Sequence, residues 1–227
     1  DYYLAYGYSK RESTIFDKIK KLEPAQYFIL NPNKKNKMEI KSYWKIQFQP
    51  DYSKSENYWK EAIYDCLNES VKLRMISDVP IGAFLSGGID SSIVVSLMAR
   101  NSTQPVKTFS IGFKEKKFSE LLYARQIAEK FNTIHHEMVV EPDSIDLLPN
   151  LVSAYDEPFA DSSAIPTYYV SKFTREHVTV SLSGDGGDEL FAGYNSYPKM
   201  LSLNNASYST RFTAKKIFSR LNKMIPD

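Results

Sequence analysis

Two glycine-bearing stretches, far apart in the chain, carry the residue types best suited to chemistry. The first is Ser86-Gly87-Gly88-Ile89-Asp90-Ser91-Ser92, directly after the apolar run Ile81–Leu85. The second is Ser183-Gly184-Asp185-Gly186-Gly187-Asp188-Glu189, directly after Val178–Leu182. Each reads as strand, Ser-Gly, carboxylate, helix start. Gly87 and Gly88 lack a Cβ, so the backbone there can take positive φ and approach a ligand closely. Ser91 and Ser92 fall where a helix begins, and unpaired N–H groups with the helix dipole favour an anion at that place. The hydroxyls of Ser86, Ser91 and Ser92 add donors. A phosphate suits this cradle, but Asp90 does not unless a cation lies between them. Magnesium takes one or two carboxylates together with phosphate oxygens, and Asp188, at the matching place in the second loop, supplies the second carboxylate. The pattern is neither Gly-x-Gly-x-x-Gly nor the Walker loop, so an ordinary dinucleotide fold and a P-loop both lose ground.

The elements around the loops must hold them together. Asn57 to about Ile76 places Trp59, Ile63, Cys66, Leu67 and Val71 at helical spacing, with Cys66 expected on the buried stripe as a small hydrophobe. A helix after Gly88 carries Ile93, Val94, Leu97 and Met98 on one side. Lys107–Phe113 reads as a strand, and Ser119 suits an N-cap for a helix bearing Leu121, Leu122, Ile127, Ala128 and Phe131. Thr133–Val140 is a strand, Ser144–Tyr155 a helix despite Pro149, and Ser163–Glu176 a helix leading into the strand Val178–Leu182. Strands alternating with helices predict right-handed crossovers and a doubly wound α/β fold, a parallel sheet with helices on both faces. Such sheets bind ligands beyond the carboxyl ends of their strands, where the strand order reverses. If Ile81–Leu85 and Val178–Leu182 are neighbours there, the two loops face one crevice.

Residues 1–50 are of another kind. Thr14–Leu22 has helical apolar spacing (Ile15, Phe16, Ile19, Leu22) closed by Glu23-Pro24. Gln26–Leu30 and Ile40–Phe48 read as extended runs joined by Asn31-Pro32-Asn33 and a Lys-rich loop. Fifty such residues could hardly bury a core of their own, and Pro50-Asp51-Tyr52-Ser53 reads as a linker. Charge is segregated as well. Residues 1–50 hold ten basic and five acidic groups, residues 51–198 hold 13 and 21, and residues 199–227 hold six and one. An acidic centre must therefore hold a polyphosphate with backbone amides, a helix end and a divalent cation, without a basic patch. The basic C-terminal stretch from Lys199 is expected to be a partial helix or loop.

Composition narrows the class further. The chain has 227 residues, 42 % hydrophobic and 25 % charged, which is ordinary for a globular protein. A net charge of +2 gives no support for nucleic-acid or membrane-surface binding. No apolar run approaches the ~20 residues that span a bilayer, and Asp1-Tyr2-Tyr3-Leu4 is unlike a secretory signal. With the single Cys66, these features point to the cytoplasm. His135 and His136 are adjacent on a strand, so they face opposite sides and do not share a metal; His177 is expected at the surface. Asp156-Glu157-Pro158 and Asp161-Ser162-Ser163 read equally as a substrate loop or a helix cap. Tyr168, Tyr169 and Tyr194 are expected to pack rather than to stack on bases.

Ser86-Gly87-Gly88-Ile89-Asp90-Ser91-Ser92 resembles the pyrophosphate loop of the ATP-pyrophosphatase superfamily. Together with Ser183–Glu189 and the following Leu190-Phe191-Ala192-Gly193-Tyr194, it resembles glutamine-dependent asparagine synthetases, as do Thr108-Phe109-Ser110-Ile111-Gly112-Phe113 and His135-His136-Glu137. The likeness covers most of residues 55–198. Ile19-Lys20-Lys21-Leu22-Glu23-Pro24 and Tyr43-Trp44 look like the tail of that family's N-terminal glutaminase domain. The resemblance implies an adenine-nucleotide α-hydrolase-like fold, with residues 1–50 ending a glutaminase domain and 51–227 forming a synthetase domain truncated at its C-terminus. It implies ATP and magnesium, activation of a carboxylate as acyl-adenylate with release of pyrophosphate, then amidation by glutamine-derived ammonia. Aspartate is the expected acid; a sugar acid, an internal cyclisation or a non-catalytic ATP-binding module are the alternatives. By similarity Leu85 and Ile111 contact the adenine or ribose through their backbones, and Ser183 and Gly184 line the nucleotide from the other side. Asp90 and Asp188 hold magnesium and pyrophosphate, and Asp185 lies close to the activated substrate. Departures are the first residue, Asp1 where the family has its nucleophilic cysteine, and a family lysine expected past residue 227. The chain is thus expected to be a fragment inactive alone, from a protein that forms a homodimer.

Overall fold

The computed structural model describes residues 2–33, 37–114, 119–140 and 144–205. The chain divides into two compact units, residues 1–183 and 184–227. The basic stretch beyond residue 205 lies outside the described residues.

The first unit opens with a short helix α1 (Tyr2–Tyr6) and an antiparallel hairpin, β1 (Gln26–Asn31) and β2 (Lys37–Ser42). The hairpin register runs from Asn31 opposite Lys37 to Gln26 opposite Ser42. The strand expected over Ile40–Phe48 stops at Ser42: Tyr43 still donates its N–H to Ala25 O at 3.0 Å, but Ala25 takes φ +58° and the pairing ends there. The helix expected over Thr14–Leu22 does not form. Instead Ser13 and Lys20 make an isolated antiparallel bridge, Lys18 takes φ +65°, and the Thr14 hydroxyl donates to Ile19 O at 2.8 Å and accepts from Phe16 N at 3.1 Å. A threonine hydroxyl bonded to nearby backbone offers the chain an alternative to helix, and here that alternative holds.

The rest of the unit is a four-stranded parallel sheet and its helices. In chain order these are α2 (Glu56–Arg74), β3 (Ile81–Phe84), α3 (Ile89–Asn101), β4 (Lys107–Phe113), α4 (Leu121–Lys130), β5 (Ile134–Val140), α5 (Ser144–Tyr155), α6 (Ala164–Arg175) and β6 (Val180–Leu182). The sheet order is β5-β4-β3-β6. The chain winds outward from β3 to β5, then returns to β6 on the other side of β3, so the order reverses between β3 and β6. Right-handed crossovers in the two directions put α3 and α4 on one face and α5 and α6 on the other. This is the doubly wound α/β fold.

Alternation along β4 sorts the two faces. On the α3–α4 side, Ala83, Leu85, Val95, Met98 and Ala124 form one buried cluster. On the α6 side, fully buried Phe109 meets Phe173 edge-on at 6.1 Å and stacks on His136 at 5.2 Å. Gly82 makes room for that ring, since a Cβ there would lie 2.7 Å from it. His135 and His136 do face opposite sides. His177 does not sit free at the surface; it stacks on His136 at 4.2 Å.

Two further expectations fail for local reasons. Cys66 is exposed. Only Leu67, Val71 and Met75, at helical spacing along α2 and its C-cap, pack into the core. Ser119 does not cap α4; Glu120 is its N-cap residue, with no side-chain bond, while the Ser119 hydroxyl is packed beside Gly112 on β4. No helix of the described residues is long and apolar enough to cross a membrane. The second unit, taken by itself, has two helices: α7 (Gly187–Phe191), at the helix start expected after Asp185, and α8 (Ser196–Asn205), which overlaps the partial helix or loop expected from Lys199.

Candidate functional site

β3 ends at Phe84, and Leu85 still donates its N–H to Phe109 O at 2.9 Å. The chain then turns through Gly87, φ +85°, where a Cβ would lie 2.5 Å from Tyr123 Cβ and 2.6 Å from Ala124 N. Glycine is needed here twice over: the conformation is left-handed and the turn lies flat against α4. Gly88 is the N-cap of α3. Its carbonyl accepts from Ser92 N at 3.0 Å and from the hydroxyls of Ser91 and Ser92 at 3.2 and 2.6 Å. Ser86 Oγ accepts from Gly88 N at 3.2 Å and lies 2.9 Å from Ser91 Oγ. The three hydroxyls thus brace the loop from within, and Ser91 is buried. The anion donors this leaves are the backbone N–H groups of the first turn of a 13-residue helix, which have no intrahelical partner. Asp90 stands half-buried on that turn.

Beside this loop lies a cavity of about 230 Å³, walled by Leu85, Ser86, Ile111, Phe113, Leu121 and Val170 among others. That is below the roughly 300–1,000 Å³ that encloses a whole drug-sized ligand, so it suits one ring system with the remainder outside. Its polar edge is set by strand register. Phe109 O accepts from Leu85 N, and Val106 O from Ile134 N, so odd-numbered residues of β4 direct their backbone groups towards β3 and even-numbered ones towards β5. Ile111 is odd-numbered, and β3 has already ended at its level. Its N–H and C=O therefore face the cavity side of β4. Leu85 O receives the Ser110 hydroxyl.

β6 pairs in parallel with β3, Ile81 opposite Val180 and Ala83 opposite Leu182. The condition set by the sequence is met: the strands that precede the two loops are neighbours, at the point where the order reverses. Ser183 accordingly leaves the sheet at the same edge as Leu85. The remainder of the second loop belongs to the second unit. There Gly186 takes φ +90° with nothing within 4 Å of a Cβ, and Asp185, exposed, lies in the turn before α7. Asp188 lies with its carboxylate Oδ1 in the space a Cβ on Gly193 would fill, and its carbonyl accepts from Gly193 N at 3.0 Å. Tyr194 donates its hydroxyl to Glu189 Oε1 at 2.6 Å, which pushes the phenol up to about 12 and holds Glu189 below the usual carboxylate range.

Of the anticipated residues, Leu85, Ser86, Gly87, Gly88, Asp90, Ser91, Ser92 and Ile111 gather at the ends of β3 and β4, with Ser183 at the end of the adjacent β6. Gly184, Asp185 and Asp188 share one loop in the second unit. The sequence did not reveal the opposite wall of the cavity, Pro166, Thr167 and Val170 of α6. Nor did it reveal the polar chain on the α4 face: His135 Nδ1 lies 2.8 Å from Thr108 Oγ1, and Arg125 grips Glu137 in a bidentate pair of 2.7–3.0 Å. His135 Nε2 approaches Glu137 at 3.2 Å without alignment for a hydrogen bond, and burial holds its pKa below the ordinary histidine value. Helical spacing in α6 was the available signal for the wall; none existed for the pairing of Arg125 with Glu137.

Residues 62–225 match the family model described as asparagine synthase. Asparagine synthetase [glutamine-hydrolyzing] 1 of Bacillus subtilis is 41 % identical over 202 residues, covering 88 % of this chain and 31 % of that protein. A putative asparagine synthetase [glutamine-hydrolyzing] 2 of Methanocaldococcus jannaschii is 43 % identical over 199 residues, 85 % of this chain and 37 % of its own length. Among solved structures, NMN synthetase from Francisella tularensis superposes with a TM-score of 0.41 at 17 % identity, over 63 % of this chain and 59 % of that one. The chain spans about a third of the length of these curated relatives. On the match over residues 62–225, it belongs to the asparagine synthase family.

Proposed function

We propose that this chain is the ATP-binding part of an amide-forming ligase that activates aspartate as acyl-adenylate and amidates it with ammonia derived from glutamine. The observation that carries the reading is the meeting, at one edge of a doubly wound sheet, of an amide-lined helix start and a ring-sized cavity. In this reading the adenine occupies the cavity against the backbone of Ile111 and Leu85, and Ser183 and Gly184 line the nucleotide from the other side. The first turn of α3, entered through Gly87 and Gly88, takes the pyrophosphate end. A carboxylate oxygen attacks the α-phosphorus as the bond to pyrophosphate breaks; ammonia then attacks the acyl carbon and AMP leaves. Asp185 lies by the activated acid. No protein nucleophile is needed, and the chain contributes positioning and charge placement.

By the family resemblance, Asp90 on the first turn of α3 and Asp188 on α7 would each supply a carboxylate to magnesium, which takes one or two carboxylates together with phosphate oxygens. Bound, the ion would neutralise pyrophosphate charge. Residues 1–50 are read as the end of a glutaminase domain and 51–227 as part of the synthetase domain. The β1–β2 hairpin supports this, because Tyr27, Phe28, Ile29 and Leu30 are successive, apolar and each 43–53 % exposed. A two-stranded hairpin apolar on both faces is marginal by itself and calls for covering structure.

The test is pyrophosphate release by the full-length protein with a panel of carboxylic acids. Release with aspartate is expected; release with a sugar acid alone refutes the choice of acid, and silence with every acid leaves a nucleotide-binding module. Asp90→Asn should lower release by about 10²–10³-fold, the scale for losing one electrostatic group aimed at the reacting charge, with an unchanged circular dichroism spectrum. Unchanged turnover would remove Asp90 from the magnesium site.

A further inference from the structure

The turn between α5 and α6, residues 156–163, is held from outside by residues that precede it by about 140 positions. Glu157 is the focus. Its Oε2 accepts from the Ser9 hydroxyl at 2.6 Å, and its Oε1 pairs with Lys21 Nζ at 3.2 Å. Three residues later Ala160 donates its N–H to Gly7 O at 3.0 Å, and Gly7, φ +80°, packs so closely that a Cβ would lie 3.3 Å from Ala160 Cβ. Asp156, just past the end of α5, sits at φ +58°, a left-handed conformation that aspartate adopts more readily than most non-glycine residues.

α6 is anchored at its C-terminal end, where Phe173 meets buried Phe109, and the α5–α6 pair shares the cluster Leu147, Leu151 and Ala164 with Ile165, Tyr168 and Tyr169 packed against it. The turn 156–163 that leads into α6 is itself mostly exposed, and a segment with few buried contacts opens readily. Yet the first turns of α6 carry Pro166, Thr167 and Val170, the cavity wall opposite Ile111.

We infer that residues 7–21 form a strap pinned on Glu157, and that this strap sets the position of α6 and so the wall of the nucleotide cavity. Glu157 is a positioning residue, acting through the helix and touching no substrate. The strap joins the segment ahead of the sheet to the cleft within it, so whatever moves that segment moves the wall. The inference deepens the ATP reading, and its affinity arm rests on that reading; its exchange arm does not.

The experiment uses the full-length protein and its Glu157→Gln, Ser9→Ala and Ser9→Thr variants. Amide hydrogen exchange is followed in residues 157–170, with α3 as the internal reference, and ATP affinity is measured by calorimetry. In Glu157→Gln and Ser9→Ala, exchange across 157–170 should quicken roughly tenfold, as expected on losing a hydrogen bond to a charged group, with α3 unchanged and ATP bound severalfold more weakly. Ser9→Thr keeps the hydroxyl and should restore both. Exchange unaltered in 157–170, or quickened equally in α3, overturns the strap, and so does faster exchange with ATP affinity intact. If the wild-type protein binds no ATP, the nucleotide reading fails while the exchange result still decides whether the strap exists.

Discussion

The two glycine loops follow neighbouring strands and share a sequence pattern, but they are built on opposite plans. In the first, glycine lets the backbone press against α4, and serine hydroxyls fold inward to stiffen the turn. What faces outward is main-chain N–H at the start of a 13-residue helix. In the second, α7 is five residues long, and the ordering contacts are made by acidic groups: Asp188 over Gly193, and Glu189 with Tyr194. One loop turns main-chain amides outward, the other is ordered by carboxylates. A likeness of motif therefore does not carry a likeness of local chemistry.

The sharpest way to break that contrast is to put the same methyl group into each loop. Gly87→Ala meets a left-handed φ, which an L side chain resists by ~1–2 kcal/mol, and also atoms at 2.5–2.6 Å on α4. Overpacking of this sort adds ~1–3 kcal/mol, so a loss of about 3 kcal/mol in urea denaturation and a collapse of ATP affinity are expected. Gly186→Ala meets only the φ, since the space around it is open, and should cost about 1 kcal/mol. Equal losses at the two sites would mean the loops are braced alike. Next in size is Gly193→Ala. Its Cβ overlaps the Asp188 carboxylate, so pyrophosphate release should fall roughly tenfold or more, the smaller end of losses on misplacing a charged group, while ATP affinity changes little. A fall in affinity equal to that in rate would place Asp188 in ground-state binding instead.

The sheet was legible because its strands are apolar runs of ordinary length and its helices carry one apolar stripe each; α5 matches its expected span, Pro149 included. The adjacency of β3 and β6 could be posed from the sequence only as a condition, since nothing local fixes which strand pairs with which. Periodicity misled where a side chain had a competing use. Thr14–Leu22 has helical spacing, but the Thr14 hydroxyl bonds its own backbone. Cys66 is exposed, while its neighbour Leu67 takes the place on the core with Val71 and Met75. His177 is polar by type yet lies against His136 because Phe109 and Phe173 leave a ring-shaped gap beside them. The strap on Glu157 was beyond reach for another reason: Ser9 and Glu157 are 148 positions apart, and no spacing rule connects them.

The smallest expected effect concerns the second loop's own ordering and its response to pH. The Tyr194 hydroxyl holds the Glu189 carboxyl below its ordinary range, and Glu189 in turn raises the phenol to about 12. A depressed carboxyl contributes stability that is present above its unfolded pKa and is lost as pH falls through the folded value; a raised phenol contributes stability that is full below ~10 and is lost as pH climbs towards 12. Tyr194→Phe removes the shared proton from both. The Glu189 resonance, followed by NMR titration, should then titrate higher, towards the ordinary glutamate range. Both groups are exposed to solvent, so the urea midpoint at neutral pH should barely shift, as for surface pairs in general. A large loss of stability would instead show that this bond organises the loop, and that carboxylate presentation depends on Tyr194 as much as on Gly193.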